Sequence, residues 1–247
     1  IRLSLVGSEM CIRDSSKIAH GVQMFKHVKE LADFANSKTS PDGSRRYYTA
    51  SGEAYPSVTT VLSVLTRQAI MEWRQRVGSE EANKVSRKAS TRGTKIHLLC
   101  EDILNNKEID TSNMSLLDQE MFNKFRPLLD RINNIHGQEV ALYSEHLRLA
   151  GRVDCIAEYE GKLSVIDFKT AAKPKRKEWI DNYFAQAAAY AIMYEERTDI
   201  PIDQSVIMIA VEGDEPQVFI EKRDNYVELL LNARDIWESE NVLSLIH

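Results

Sequence analysis

Hydrophobic and polar residues alternate along the middle of the chain, and this pattern predicts β-strands. The alternation covers about residues 139–147, 150–159 and 162–169, and the short gaps between these segments predict an antiparallel meander. Two further strands are predicted near 205–211 and 217–221. The second half of the chain is therefore expected to contain the sheet.

Apolar residues recur every three or four positions elsewhere, which predicts amphipathic helices. Residues 37–56 are rich in Ser, Thr, Gly and Pro and predict a loop region with one short strand at Tyr47 to Thr49. Ser57 follows as a predicted N-cap of the first helix. The further predicted helices cover about 69–86, Thr94 through Leu104, 116–135, 177–196 and 223–240. Together these elements predict an α/β fold whose first half is mainly helical.

One predicted hairpin brings two acidic residues together. If Glu160–Gly161 forms a two-residue turn, Tyr159 pairs with Lys162. Counting back along both strands then puts Asp154 directly opposite Asp167. Like charges at directly opposed positions of neighbouring strands destabilise a sheet unless a cation lies between them. The hairpin therefore predicts a metal site, with an exposed hairpin whose charged residues face water as the alternative.

The chemistry expected there is phosphodiester hydrolysis. Carboxylate oxygens suit Mg²⁺ or Mn²⁺, and water and a substrate phosphate often complete the coordination of these ions. Side chains in a strand alternate between faces, so Lys169 shares a face with Asp167. Lys169 could orient the attacking water, offset charge on the phosphate or, with a lowered pKa, act as a base. The sequence leaves these three roles open.

Composition limits the class of protein. The 247 residues are 43% hydrophobic, enough for one good core, and no apolar run reaches the length of a membrane span. Three scattered cysteines are too few for a disulfide framework or a four-thiolate metal site, which favours a reducing compartment and a cytoplasmic location. The net charge of −5 argues against a protein that coats nucleic acid through a broadly basic surface. Lys173 and Lys175, directly after the Asp167 strand, are still candidates for holding a phosphate backbone.

The two ends of the chain differ from the rest. Residues 1–15 and 242–247 resemble translated sequencing-adapter sequence, and we expect them not to belong to the native protein. Residues 16–241 then form a single domain. We expect a helical part at about 55–136 and a sheet core at about 139–221.

Two helices and one turn supply further candidates. His97 and Glu101 are four residues apart, so they share a helix face and can reach one site. Gln186 and Tyr190 repeat this spacing; an amide there could bond a phosphate or base, and a ring could stack on a base. Glu145, just before the Asp154 strand, is a further acidic candidate. Taken alone, His97, Gln186 and Tyr190 are more typical of structural or surface positions. Glu101 is equally compatible with an exposed helix position.

Four ordered motifs resemble those of PD-(D/E)XK nucleases of the RecB-like group. Within that group the chain is similar to the mitochondrial genome maintenance exonuclease family and its phage and bacterial relatives. Two additional segments support the resemblance, which spans about residues 55–195. The four motifs are GTKIHLLCE at 93–101, GRVD at 151–154, IDFKT at 166–170 and QAAAY at 186–190, and the additional segments are PSVTTVL at 56–62 and DFKTAAKPK at 167–175.

The resemblance implies a restriction-endonuclease-like core and a metal-dependent exonuclease that digests single-stranded DNA from free ends. Position by position, the metal-binding motifs match His97, Asp154 and Asp167, the catalytic lysine matches Lys169, and the helix motif beside the site matches Gln186 and Tyr190. Val153 departs from the proline that gives the family its name. The cysteine count also disfavours the iron–sulfur cluster of some relatives.

The sequence thus predicts a monomeric Mg²⁺- or Mn²⁺-dependent DNA exonuclease acting in replication, recombination or repair, with a phage origin in view. A structure-specific DNA endonuclease on the same core is the alternative enzyme. A DNA-binding module with a decayed site is the alternative without catalysis, although Asp154, Asp167 and Lys169 are all present.

Overall fold

The computed structural model describes residues 24–28, 31–39 and 45–244, which contain two β-sheets and six α-helices. The strands are β1 (Ala35–Thr39), β2 (Arg45–Thr49), β3 (Ala54–Pro56), β4 (Ile132–Ser144), β5 (Leu149–Tyr159), β6 (Lys162–Ala171), β7 (Gln204–Val211) and β8 (Gln217–Lys222). The helices are α1 (Val58–Leu62), α2 (Arg67–Val77), α3 (Ser79–Leu104), α4 (Leu116–Leu129), α5 (Asp181–Thr198) and α6 (Val227–Ser244).

The larger sheet has the strand order β4-β5-β6-β7-β8. Strands β4, β5 and β6 form the predicted antiparallel meander. The chain then crosses over through α5, so β7 runs parallel to β6, and β8 returns antiparallel to β7. The predicted α/β class with a central mixed sheet, flanking helices and an N-terminal helical region is confirmed.

Both faces of the larger sheet are covered. Helices α1 and α5 pack on one face, in a core that includes Val165 and Ile207, and α6 packs against these two helices. Helices α3 and α4 pack on the other, in a core that includes Ile166 and Phe168. Asp167 is only 1% exposed. The alternative of a hairpin whose carboxylates face water is therefore wrong for this residue.

The helix predicted over 116–135 ends earlier, at Leu129, and β4 begins at Ile132. Apolar Ile132 and Ile135 are three apart, which resembles helical spacing. In the structure, however, a register shift between Asn133 and Gly137 interrupts the ladder, and both isoleucines are fully buried from a strand. The irregular pairing in β4 thus explains why two buried residues of a strand are three positions apart, as they would be in a helix.

Two other boundaries differ from the prediction. The helix predicted over 69–86 breaks at Gly78, whose φ of 86° lies in the left-handed region that glycine tolerates, and α3 then continues without interruption to Leu104. The predicted loop region contains a three-stranded sheet, β1-β2-β3, with Tyr47 and Tyr55 buried beneath it. Ser57 caps α1 as predicted, since its hydroxyl accepts a hydrogen bond from the backbone N–H of Thr60.

The expectation that residues 1–15 and 242–247 are foreign to the native protein stays a prediction. Residues 1–15 and 245–247 lie outside the described residues, and α6 extends to Ser244. Among the helices of the described ranges, none combines the length and the apolar character needed to cross a bilayer.

Candidate active site

The predicted register of the β5–β6 hairpin is confirmed. Pairing begins at Tyr159 with Lys162 and extends for five residue pairs. The next step along both strands reaches Asp154 and Asp167, just past the end of this ladder. There, Oδ2 of Asp154 accepts a hydrogen bond of 2.8 Å from the backbone N–H of Phe168. This bond holds the Asp154 carboxylate at the edge of the ladder, beside β6.

A third acidic residue, Glu139, lies level with Asp154 on the other neighbouring strand. The ladder pairs on either side are Gln138 with Cys155 and Val140 with Val153. Glu139 itself has a φ of 48°, which interrupts the ladder at this position. Three carboxylates therefore form a row across β4, β5 and β6.

His97 completes a group suited to metal binding. One ligand atom each from His97, Glu139 and Asp154 can be chosen so that all three lie within 4.8 Å of one another. Nδ1 of His97, on α3, is 3.6 Å from Oδ2 of Asp154. An imidazole nitrogen and two carboxylate oxygens are compatible with Mn²⁺ or Mg²⁺, although Mg²⁺ favours oxygen donors more strongly. Asp167 does not belong to this three-residue group.

The surroundings of Glu139 are electrostatically unfavourable without a cation. Burial raises the pKa of Glu139 to about 7, with further contributions from the Asp154 and Glu101 carboxylates. Arg152 opposes the rise, and its guanidinium also donates a hydrogen bond to the backbone carbonyl of Glu139. A bound divalent cation would relieve this repulsion and favour the ionised carboxylate.

Asp167 lies deeper and forms an ion pair with Lys169. The Lys169 ammonium is 2.7 Å from Oδ1 and 2.6 Å from Oδ2 of Asp167, and it donates a hydrogen bond to Oδ1. Nε2 of Gln186, on α5, donates a second hydrogen bond of 3.1 Å to Oδ1. Burial raises the pKa of Asp167, while the charge of Lys169 opposes that rise. Oδ2 is buried and, apart from its ion pair with Lys169, has no hydrogen-bond partner within the described structure.

Lys169 is held in its protonated form. Burial by itself lowers the pKa of Lys169, but attraction to Asp167 and Asp154 outweighs burial and the net pKa is raised. Its ammonium also lies 5.1 Å from the centre of the Tyr183 ring, within reach of a cation–π interaction. Of the three roles left open by the sequence, orienting a water or offsetting phosphate charge fits this ammonium better than acting as a base.

Gln186 and Tyr190 lie against the carboxylates, but both are largely covered. Gln186 is 9% exposed and Tyr190 is 3% exposed. The ring of Tyr190 packs against Gly151 so closely that a Cβ at Gly151 would lie 2.8 Å from the hydroxyl oxygen. Such a covered ring has little free face on which a base could stack. Burial raises the pKa of Tyr190 well above its ordinary value, which keeps the hydroxyl neutral.

A cavity of about 530 Å³ opens onto these residues. Its walls come from β2, α1, α3, the meander and α5. The lining residues are Tyr47, Ser57, Thr59, Thr60, His97, Glu139, Gly151, Arg152, Asp154, Lys169, Gln186 and Tyr190. A phosphate entering this space would meet the His97–Glu139–Asp154 group and the Lys169 ammonium together.

The sequence profile of the PD-(D/E)XK nuclease superfamily matches residues 122–229. The matched span contains β5, β6 and α5, so it includes Asp154, Asp167, Lys169 and Gln186. His97 lies outside the matched span and reaches the candidate site from α3.

Three curated proteins named mitochondrial genome maintenance exonuclease 1 are similar to the chain. The human protein is 29% identical over 174 residues, covering 65% of this chain and 50% of its own length. The mouse protein is 28% identical over 173 residues, with 65% and 51% covered, and the Xenopus tropicalis protein is 29% identical over 178 residues, with 65% and 50% covered. The chain spans about half the length of these curated relatives. The predicted resemblance is confirmed.

Two solved structures are more distant. One is a Eubacterium rectale protein inferred to be an exonuclease, with a TM-score of 0.43 and 17% identity, covering 60% of this chain and 64% of that one. The other is the crystal structure of SSO0001, with a TM-score of 0.36 and 14% identity, covering 68% of this chain and 70% of that one.

The other predicted site residues lie outside the cavity. Glu101 is half-buried and lines a neighbouring cavity with Gly137 and Gln138, although its charge still reaches Glu139. Glu145 is exposed in the turn after β4, with its Oε1 4.0 Å from a guanidinium nitrogen of Arg197.

The two predicted phosphate-binding lysines differ in how far they are buried. Lys173 is exposed in the loop after β6. Lys175 is half-buried, and its backbone N–H and carbonyl both bond the side-chain amide of Gln217. The loop is therefore anchored to β8. Contact of either lysine with substrate stays a prediction.

Glu139, Arg152 and Tyr183 were not predicted as site residues. For Glu139 a signal was present: β4 and β5 also form a hairpin, in which Ser144 pairs with Leu149. Counting back five residues on one strand and forward five on the other reaches Glu139 and Asp154. The turn has four residues, and its length was not evident from the sequence.

Proposed function

We propose that the chain is a divalent-metal-dependent nuclease that hydrolyses single-stranded DNA from free ends. The observation that carries the proposal is the meeting, in one cavity, of the His97–Glu139–Asp154 group with the buried Asp167–Lys169 pair. The match of residues 122–229 to a nuclease superfamily supports hydrolysis of a phosphodiester bond. The names of the relatives support exonuclease action.

The donor set fits a hard divalent cation. His97, Glu139 and Asp154 would hold Mn²⁺ or Mg²⁺, because their ligand atoms lie close enough to share one ion. Burial, and after it the neighbouring Asp154 and Glu101 carboxylates, raises the pKa of Glu139, and a cation would favour its ionised form. When bound, such an ion supplies Lewis-acid polarisation of the phosphoryl group and favours ionisation of the attacking water. No iron–sulfur cluster is part of the proposal.

The remaining residues position charge around the phosphate. Gln186 and Lys169 both donate to Oδ1 of Asp167, which fixes that carboxylate deep in the site. Lys169 is 20% exposed at its side chain and lines the cavity, so its ammonium can contact a phosphoryl oxygen or orient a water. A preorganised cation near developing negative charge stabilises the transition state.

The wider role follows from the same proposal. The relatives are named for genome maintenance, which supports action in DNA replication, recombination or repair. We place the protein inside the cell, as a monomer, with a phage-encoded origin compatible with this role.

End-labelled linear and circular single strands, incubated with Mn²⁺, Mg²⁺ or EDTA, test the proposal. We expect progressive shortening of linear strands with either metal, none in EDTA, and intact circles. Asp154→Asn should abolish shortening, while Glu108→Gln, which removes an exposed carboxylate outside the cavity, should not. Cleavage of circles would replace the proposal with the endonuclease alternative. Binding without any cleavage would instead indicate a decayed site.

A further inference from the structure

A second cavity, of about 490 Å³, lies directly beside the nuclease site. Leu149 lines the second cavity, and Gly151, two residues further along β5, lines the first. Similarly, Pro56 lines the second cavity and its neighbour Ser57 lines the first. The bridge between Ser57 and Ala150 forms the boundary. The two spaces are therefore neighbours on one continuous surface.

Three arginines converge on this second cavity, which we name the arginine groove after Arg46, Arg148 and Arg234. Arg46 and Arg148 are exposed, and neither forms an ion pair with any residue in the described ranges. Arg234 lies 3.6 Å from Oε1 of Glu238, which is the acidic residue in the groove lining, and 3.7 Å from Asp235. Two guanidinium groups are thus left available to an anionic ligand.

An aromatic ring lies among these charges. Trp237 on α6 is half-buried and lines the groove, so part of the indole remains accessible. Tyr55 also lines it but is 6% exposed, and its hydroxyl donates to Glu53. Guanidinium groups that follow a phosphate backbone, together with an aromatic ring on which a base stacks, are typical of single-strand binding.

We propose that the arginine groove binds the part of a DNA single strand that adjoins the scissile phosphate, an inference that rests on the proposed function. The five steps along β5 from Leu149 to Asp154 span about 17 Å. Phosphates along one strand of a DNA duplex are roughly 3.4 Å apart, and those of an extended single strand are at least as far apart. About five nucleotides or fewer therefore cover this distance. One strand can therefore occupy both spaces.

Acidic residues limit the groove on its far side. Glu53 and Glu145 line a neighbouring cavity that shares Tyr55 and Arg148 with the groove. Negative charge there disfavours a phosphate backbone, so the favourable path runs between the three arginines and the nuclease site.

The test measures binding of a fluorescent oligothymidine in EDTA as a function of salt. Each phosphate contact on a single strand contributes about 0.7 to the slope of log affinity against log salt, so Arg46→Ala/Arg148→Ala should lower the slope by about 1.4. At roughly 0.1 M salt this corresponds to about 25-fold weaker binding. Lys222→Ala, which removes an exposed cation on β8, should leave the slope unchanged.

A second measurement separates the groove from the reaction centre. With Mn²⁺, the double variant should raise the KM for a long single strand and leave unchanged the hydrolysis of thymidine 5′-p-nitrophenyl phosphate, a substrate too short to reach the groove. A wild-type salt slope in the double variant, or equal loss of activity on both substrates, would overturn the inference. If the wild-type protein hydrolyses neither substrate, the proposed function fails, and the salt slope still decides whether the groove binds DNA.

Discussion

Replacing Glu139 with glutamine tests the electrostatics of the site most directly. In the folded, metal-free protein the pKa of Glu139 is raised from about 4.5 to about 7 by burial and by the Asp154 and Glu101 carboxylates. The folded state therefore keeps a proton that the unfolded state loses between these two pH values. Linkage requires that stability from this group is present below about pH 4.5 and is lost as pH rises toward 7.

The size of the effect follows from the two pKa values. At about 1.36 kcal/mol per pH unit, the difference between 4.5 and about 7 corresponds to at most about 3.4 kcal/mol at pH 8. Glu139 is partly exposed, so solvent screening reduces the expected cost to about 1–2 kcal/mol. Glu139→Gln removes this cost. The melting temperature of a chain of this size should rise by about 2–4 °C for each kcal/mol gained.

Thermal unfolding at pH 5 and pH 8, with EDTA or Mn²⁺, provides the assay. In EDTA, the variant should gain stability relative to wild type at pH 8 and gain much less at pH 5. At Mn²⁺ about 100-fold above its Kd, wild type should gain about 2.7 kcal/mol, and a variant with tenfold weaker affinity about 1.4. Glu108→Gln serves as the control at an exposed carboxylate. The same pH profile in Glu139→Gln and wild type, or undiminished Mn²⁺ stabilisation, would refute the reasoning.

Three further predictions follow from single contacts. Lys169→Ala should remove metal-dependent hydrolysis but leave much of the DNA binding, as checked by cleavage and anisotropy; an active variant would contradict its role. Gly151→Ala should destabilise the fold by about 1–3 kcal/mol in urea unfolding, because the added Cβ meets the buried Tyr190 ring. Gly93→Ala is the control: in a helix, with the added Cβ 3.7 Å from Oγ1 of Thr170, it should be neutral or stabilising by up to about 1 kcal/mol. Ser57→Ala should cost about 1 kcal/mol by the same measurement, since it removes the α1 cap; no change would mean that the cap is dispensable.

Local features of the fold were accessible from the sequence. The two-residue turn at Glu160–Gly161 sets the β5–β6 register, and the period of two in a strand then determines which residues are level. The Ser57 cap is equally local. The small sheet around Tyr47 was largely missed, because pairing between β1, β2 and β3 depends on residues separated along the chain.

The candidate site shows the same division. Asp154, Asp167 and Lys169 were identified from one hairpin and from motifs. Glu139 was missed because it reaches Asp154 through a second hairpin, whose four-residue turn has no two-residue turn signal. His97 was a candidate by spacing and motif, yet its 3.6 Å approach to Asp154 depends on the packing of α3 against the sheet.

By itself, the sequence determined the antiparallel meander, the approximate level of its two aspartates and the resemblance to a nuclease family, because turn chemistry and strand periodicity act over short distances. Only the tertiary structure decided that Asp167 is buried, that the pKa of Lys169 is raised and that Glu139 lies beside His97 and Asp154, in a group able to hold a metal. Burial and pKa depend on the charges and helices that pack around a residue, and these come from parts of the chain far apart in sequence.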